Sequence, residues 1–506
     1  MKKTKIFSKL ALIFLGVLVV VPTLFLFGCK DNLSTKSREL SNYNLTLEFD
    51  EKSNILKAEQ TVNFKNSYDV PLSTLEFHLY PNAFRQGAKY RPVSTSTYQK
   101  AYKNGFSEGK IDVAKVAVDG TEKDVNVGGS DQNMLIVSLG KDLYPDDSVE
   151  ILLNYSVLLP NCEHRFGYGD NTYNFGNFYP ILAVYENGNF REDNYGANGD
   201  PFYSEMSNYD VTLTYNSDFV LASSGRQLST TLNDHKKTTK ISAKVVRDFG
   251  FVLSRDFIVL SGKANNVDVY YYYYDEQTPE KSLDTAIRAI KTFSDLFGDY
   301  PYDTYSVVKA DFVHGGMEYP NLVYISDSVQ NYDDYQNVIV HETAHQWWYN
   351  LVGSDACNDA WQDEGLTEFS TLMFYRYNSG YNVVEADSLS ASLSSYLLFC
   401  EVYESVYGKI DSSMSRNVND FAGDMQYTYM TYVKGVLFFD SLEDLIGEKA
   451  FLKGLKLYFK QYEYKIATKD DMISCFESVS KKNLKGFFDS WLNGKVVLQG
   501  YSSASK

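Results

Sequence analysis

The chain has 506 residues, more than one hydrophobic core usually organises, so its length predicts at least two domains once any leader is set aside. Hydrophobic residues make up 44% and charged residues 22%, and 42 tyrosines and 32 phenylalanines raise the aromatic share to 15%, which excludes a disordered chain. A formal net charge of −17 excludes a surface built to track phosphates, so no nucleic-acid partner is expected.

Residues 1–29 stand apart. Lys2, Lys3 and Lys5 form a basic end, Leu10 to Phe27 is almost unbroken apolar sequence, and Gly28-Cys29 closes it. This is the pattern of a secretory leader. The Gly-Cys ending resembles the lipobox of bacterial lipoproteins, which implies that Cys29 is lipidated and becomes the mature N-terminus, although Phe27 is bulkier than the usual occupant. The alternative is an uncleaved signal anchor, because about 18 apolar residues just span a bilayer. Polar residues 30–41 read as a tether. Either reading puts the body at the extracytoplasmic face of the membrane, held by a lipid anchor or a leader helix. Cys162, Cys357, Cys400 and Cys475 contain no CxxC pair and are too few for a disulfide framework. They read as mostly buried thiols, with a single bridge left open.

From Tyr43 to about Leu260 the apolar pattern has period two. Tyr43, Leu45, Leu47 and Phe49 alternate with polar neighbours, as do Leu75, Phe77 and Leu79, then Val149, Ile151, Leu153, Tyr155 and Val157, and Val211, Leu213 and Tyr215. Asp119-Gly120 is one of the turn signals between them. Residues 42–260 are therefore expected to form an all-β domain. At Tyr270–Tyr274 the alternation fails because both faces are aromatic, as in a strand buried on both sides. The period then changes to that of helices: Thr278 and Pro279 open one, Leu283, Ile287, Ile290, Phe293 and Phe297 mark a face, and Gly298 can end it. Tyr305–Asp311 and Leu322–Ser326 read as strands, and helices follow to about Leu492. Residues 261–506 are thus expected to be an α+β domain.

Gln336 to Tyr349 reads as a helix carrying His341, Glu342 and His345, an HExxH motif. Residues four apart share a helical face, so the two imidazoles can meet at one metal ion. Glu342 is one residue round from the first histidine, where a carboxylate can take a proton from water activated by the metal. A catalytic zinc needs a third protein ligand, and Glu364 follows after eighteen intervening residues, room for one helix to end near Gly353 and another to return. Glu368, one turn on, suits hydrogen bonding to a ligating histidine or is an ordinary solvated residue.

In His341-Glu342-Thr343-Ala344-His345 and Asp363-Glu364-Gly365 the sequence resembles the gluzincin aminopeptidases, the family typified by aminopeptidase N, in a short form resembling bacterial lipoproteins. Thermolysin-like endopeptidases share HExxH and a downstream glutamate, but two further motifs resemble the aminopeptidases. Gly315-Gly316-Met317-Glu318-Tyr319 corresponds to the family's GxMEN substrate loop, which implies that Glu318 holds the substrate's free α-amino group and that Gly315, Gly316 and Met317 line its path. Tyr319 departs from the family's asparagine. Tyr432-Val433-Lys434-Gly435 resembles the YEKG marker, which implies that Tyr432 stabilises the oxyanion. Phe77–Phe84, Arg247-Asp248-Phe249 and Phe487–Leu492 extend the resemblance over most of the chain.

The resemblance implies a saddle-like all-β domain before a thermolysin-like α+β catalytic domain, one zinc ion per chain, and peptide substrates with a free N-terminus. A helical C-terminal domain like that of larger relatives is not expected, so the site is expected to be more open or completed by a partner. His314, beside the substrate loop, is not expected to ligate metal, since a fourth protein ligand would close the position that catalysis needs open. Substrate contact and packing both remain open for it. Two alternatives stand beside the aminopeptidase: a thermolysin-like endopeptidase, and a surface lipoprotein that binds peptides without cleaving them.

Overall fold

The computed structural model describes residues 33–499, so the leader, with Cys29, lies outside the described residues. The expected tether is folded from Leu33 onward. Leu33–Ser37 is a short helix, Leu33 and Leu40 pack on the core, and Ser37 and Asn208 exchange two hydrogen bonds of 2.8 and 2.9 Å. Two leucines spaced to reach apolar surface outweigh the polar composition that suggested a free linker.

The N-terminal domain is built on an eight-stranded sheet in the order 226–233, 236–246, 207–216, 42–50, 55–65, 148–158, 110–118 and 121–123. Its strands pair antiparallel except for 42–50 with 207–216. Alternate side chains of 42–50 and 55–65 are buried, as period two requires when one face meets a core. Two four-stranded sheets, containing Leu72–His78 and Phe251–Ser254, supply the covering layer. The Asp119-Gly120 turn has both residues at left-handed φ (47° and 74°), the geometry of a two-residue hairpin.

A five-stranded sheet organises the second domain. It begins at Ile258, three residues before the expected boundary, and runs in the order 258–264, 267–273, 304–310, 322–326 and 316–317. Its three inner strands are parallel, and Tyr271, Tyr272 and Tyr273 are buried on both faces as such strands demand. Pro279–Leu296 and Tyr332–Ala344 lie against this sheet, and the helices from Leu366 to Leu492 complete the domain. Among the described residues Cys162, Cys357, Cys400 and Cys475 are unbridged, and Cys400 is only half-buried.

Arg247 couples the two domains. Its buried guanidinium donates to the carbonyls of Ser204 (2.7 Å), Tyr349 (2.9 Å) and Lys465 (3.0 Å). Asp311 of the second domain reaches back to accept from the Thr172 amide at 3.0 Å and the Asn171 side chain at 2.9 Å. The walls of any cleft between the domains are thereby fixed.

Candidate active site

The helix carrying HExxH spans Tyr332–Ala344, starting four residues earlier and ending five residues sooner than the sequence pattern suggested. Asn331 caps it by accepting from the amides of Asp333 (2.8 Å) and Asp334 (3.1 Å), and those two acids complement the helix dipole. This first turn carries two acids and Tyr332 with a single core residue, Tyr335, too little to read as a helical period. Beyond Ala344 the backbone bonds first tighten, Gln346 N to Thr343 O (3.1 Å) and Trp347 N to Ala344 O (2.9 Å), and then widen, Asn350 N to His345 O (3.1 Å) and Val352 N to Trp347 O (3.0 Å), so His345 sits where the regular helix ends.

Val352–Gly353, where a helix was expected to end, is a short strand paired with Lys465–Ile466. Glu364 returns on a π-helical turn, Trp361–Gly365, that opens the helix Leu366–Tyr377. Tyr432 lies on a second π-helical turn, Tyr429–Val433. A π-turn pushes one extra residue sideways, and such bulges gather at functional sites. The two turns touch through glycine. A Cβ on Gly435 would lie 2.7 Å from Gly365 Cα, so the final glycines of the two motifs permit a backbone contact that no side chain allows.

The result is a triangle of donor atoms. His341 Nε2 and His345 Nε2 are 3.2 Å apart, and Glu364 Oε2 lies 3.3 Å from the first and 3.1 Å from the second. Tetrahedral coordination with metal–ligand bonds of about 2.0–2.1 Å has edges of about 3.3 Å, so the spacing fits a zinc ion. His341 Nδ1 donates to Glu368 Oε2 (2.8 Å) and His345 Nδ1 to Asp363 Oδ1 (2.7 Å), leaving both Nε2 lone pairs directed at the triangle. Sequence reasoning placed Glu368 beside a histidine and missed Asp363. Burial opposes ionisation of Glu364, but the two imidazoles and their hydrogen bonds outweigh it and hold its carboxyl far below the usual range.

A cavity of about 350 Å³ opens on this triangle. Gly315, Gly316, Glu318, Glu342, Glu368 and Tyr432 line it, with His164, Arg165 and Asp200 from the β domain. Glu342 and Glu318 are buried, and Oε2 of the first and Oε1 of the second have no partner among the described residues. Burial, opposed by the two histidines, brings the Glu342 carboxyl up to about 7. Burial and then Asp200 push Glu318 well above the carboxylate range, so a cationic visitor is what would ionise it. The Tyr432 ring stacks over His341 with centroids 5.9 Å apart. Carboxylate oxygens of Asp200, Glu318 and Glu364 lie within 4.8 Å of one another, but they form an all-oxygen set whose Asp200 is already paired with Arg165. Two imidazoles with one carboxylate suit zinc better.

One expectation about the substrate loop changes. Gly316–Met317 is a short edge strand paired antiparallel with Leu322–Ser326. Alternation along it turns Gly316 and Glu318 to the cavity and Met317, fully buried, to the core, so Met317 does not line the substrate path. A Cβ at Gly316 would collide with Glu342, which shows what this glycine makes room for. His314 stands in the cavity wall, edge-to-face with His164 (5.1 Å), and takes no part in the metal triangle. Burial and then Arg165 lower its pKa to about 4.

Residues 281–491 match the Peptidase family M1 domain. That stretch of the chain is similar to an M1 peptidase domain. Aminopeptidase N of Haemophilus influenzae is 29% identical over 266 residues, covering 50% of this chain and 29% of that protein. Endoplasmic reticulum aminopeptidase 2 of Homo sapiens is 28% identical over 285 residues, covering 51% and 27%. The matched part of this chain therefore spans under a third of these relatives. In overall fold the chain is similar to the M1 zinc metallopeptidase from Deinococcus radiodurans, with a TM-score of 0.64 at 16% identity over 92% of this chain and 96% of that one. The order of a β domain before the part that matches the M1 domain is as the sequence led us to expect.

Proposed function

We propose that this protein is a zinc-dependent aminopeptidase that removes N-terminal residues from peptides. The observation that carries the reading is Glu318: a buried carboxylate with an unpartnered oxygen, facing the same cavity as the His341, His345 and Glu364 triangle. An ammonium group is the ligand such an oxygen accepts best, and holding it there sets which peptide bond lies over the triangle.

His341, His345 and Glu364 would hold a zinc ion, which when bound would supply Lewis acidity for polarising a carbonyl and lowering the pKa of water. Glu342, with its free Oε2 in the cavity, takes the proton from the attacking water and delivers it to the leaving amine. Tyr432, stacked over His341, donates its hydroxyl to the carbonyl oxygen as negative charge develops there. Glu368 and Asp363 keep the two histidines in the tautomer that presents Nε2. The aminopeptidase relatives support the reaction class. The basic and apolar leader ending in Gly28-Cys29 motivates an extracytoplasmic, lipid-anchored location as part of the same proposal.

The test is hydrolysis of one short peptide offered with a free and with an N-acetylated terminus. The free peptide is expected to be cut at its first bond and the blocked one to resist. Equal cleavage of both would establish an endopeptidase instead, and no cleavage of either a peptide-binding protein.

A further inference from the structure

We propose that Tyr319 is the positioning residue for Glu318: it plugs a socket in the β domain and so makes recognition of the substrate's amino terminus depend on how the two domains dock. The inference rests on the amino-terminal reading of Glu318 given above.

The strand that carries Glu318 into the cavity is short: it pairs Gly316 with Ile325 and Met317 with Tyr324, and just before it the Ser326 amide donates to Gly315 O at 2.9 Å. So short an edge pairing does little to fix the direction of the residue that follows it. The next residue, Tyr319, is fully buried and points the opposite way. Its hydroxyl donates to Asn177 Oδ1 at 2.7 Å, the Asn177 amide donates to Asp248 Oδ2 at 2.6 Å, and the Tyr179 hydroxyl donates to Asp248 Oδ1 at 2.8 Å. These three partners all belong to the β domain.

The β domain is shaped for this ring. A Cβ on Gly176 would collide with the Tyr319 hydroxyl, and one on Gly250 would lie 3.2 Å from the ring. Asn177 itself holds a left-handed φ of 51° to present its side chain. On the other side Gln346, next to His345, donates to Tyr319 O at 3.2 Å and accepts from the Asn321 amide at 2.9 Å. The segment 319–321 is thus clamped between the histidine helix and the β domain, and Glu318 projects from its start. An asparagine at 319, the family's usual residue, lacks the ring that fills this socket.

The experiment compares zinc-loaded Tyr319→Phe and Tyr324→Phe on the free and N-acetylated forms of one peptide. Tyr324 is the matched control: it packs on Tyr319 (5.1 Å) and donates at 3.3 Å to the Phe251 carbonyl, away from Asn177. Removing one neutral buried hydrogen bond predicts that Y319F raises KM for the free peptide about 3- to 10-fold and erodes the preference over the acetylated form by a similar factor. Its kcat and zinc content stay near wild type, and Y324F changes neither KM nor the preference. Should Y319F fail to fold, Asn177→Ala, which deletes the phenol's acceptor, is read in the same way. If Y319F and Y324F behave alike, Tyr319 only packs and the inference is overturned. A wild type that cleaves both peptides equally overturns the amino-terminal reading itself, and with it this inference.

Discussion

Adjacent glycines in the substrate loop should respond in opposite ways to the same small change. A Cβ at Gly316 would sit 2.5 Å from Cγ and Cδ of Glu342, whereas non-bonded carbons settle at about 3.5–4.0 Å. Glu342 is buried and cannot swing into solvent, so Gly316→Ala must displace its carboxylate by about 1 Å. A shift of that size at a catalytic group costs on the order of 100-fold in rate, equivalent to about 2.7 kcal/mol of activation free energy. At Gly315 the new methyl group meets only Val338 Cγ2 at 3.8 Å, an ordinary contact. Neither glycine has a left-handed φ, so alanine brings no backbone strain at either position. Steady-state kinetics on an aminoacyl chromogenic substrate, with zinc content measured in parallel, should show kcat falling about 100-fold for G316A and within about twofold of wild type for G315A, both fully metallated. A G316A enzyme retaining near-normal kcat would refute the assignment of Glu342 as the base, or the closeness of the two groups.

Asp363→Asn leaves His345 without the carboxylate that fixes its tautomer, and zinc affinity should fall about 10- to 100-fold in a chelator competition assay. Gly435→Ala drives a methyl group into the Gly365 backbone, and thermal denaturation should reveal a loss of about 1–3 kcal/mol together with reduced activity. Acid should weaken the fold through His314, whose pKa in the fold is about 4 against an ordinary value near 6.5. Below 6.5 the unfolded chain binds a proton that the folded one refuses, so stability falls as pH drops from 6.5 towards 4. Chemical denaturation across that range should show a shallower decline for His314→Gln.

The metal residues were legible because helical geometry converts the spacing of His341 and His345 into a shared face, and the interval to Glu364 leaves room for one reversal of the chain. Glu318 and Tyr432 became legible only through family resemblance, since a lone glutamate or one tyrosine among 42 carries no spacing signal. Met317 was misplaced because the two-residue strand that turns it inward is too short to leave a period. Asp363 was missed because it neighbours Glu364 on a π-turn, where adjacent carboxylates reach different atoms of the site. Arg165 and Asp200 approach the cavity from the β domain, more than 130 residues away from the histidines along the chain, and no local pattern records such a meeting. Tyr319 looked like a departure from a motif, and only the glycine-floored socket of the β domain gives it a purpose.

Elemental mass spectrometry of the purified chain and its Glu364→Ala variant tests the central claim most directly. The geometry of His341, His345 and Glu364 predicts about one zinc per wild-type chain and little in the variant after dialysis. Wild-type protein without zinc, or a variant that keeps a full equivalent, would contradict it.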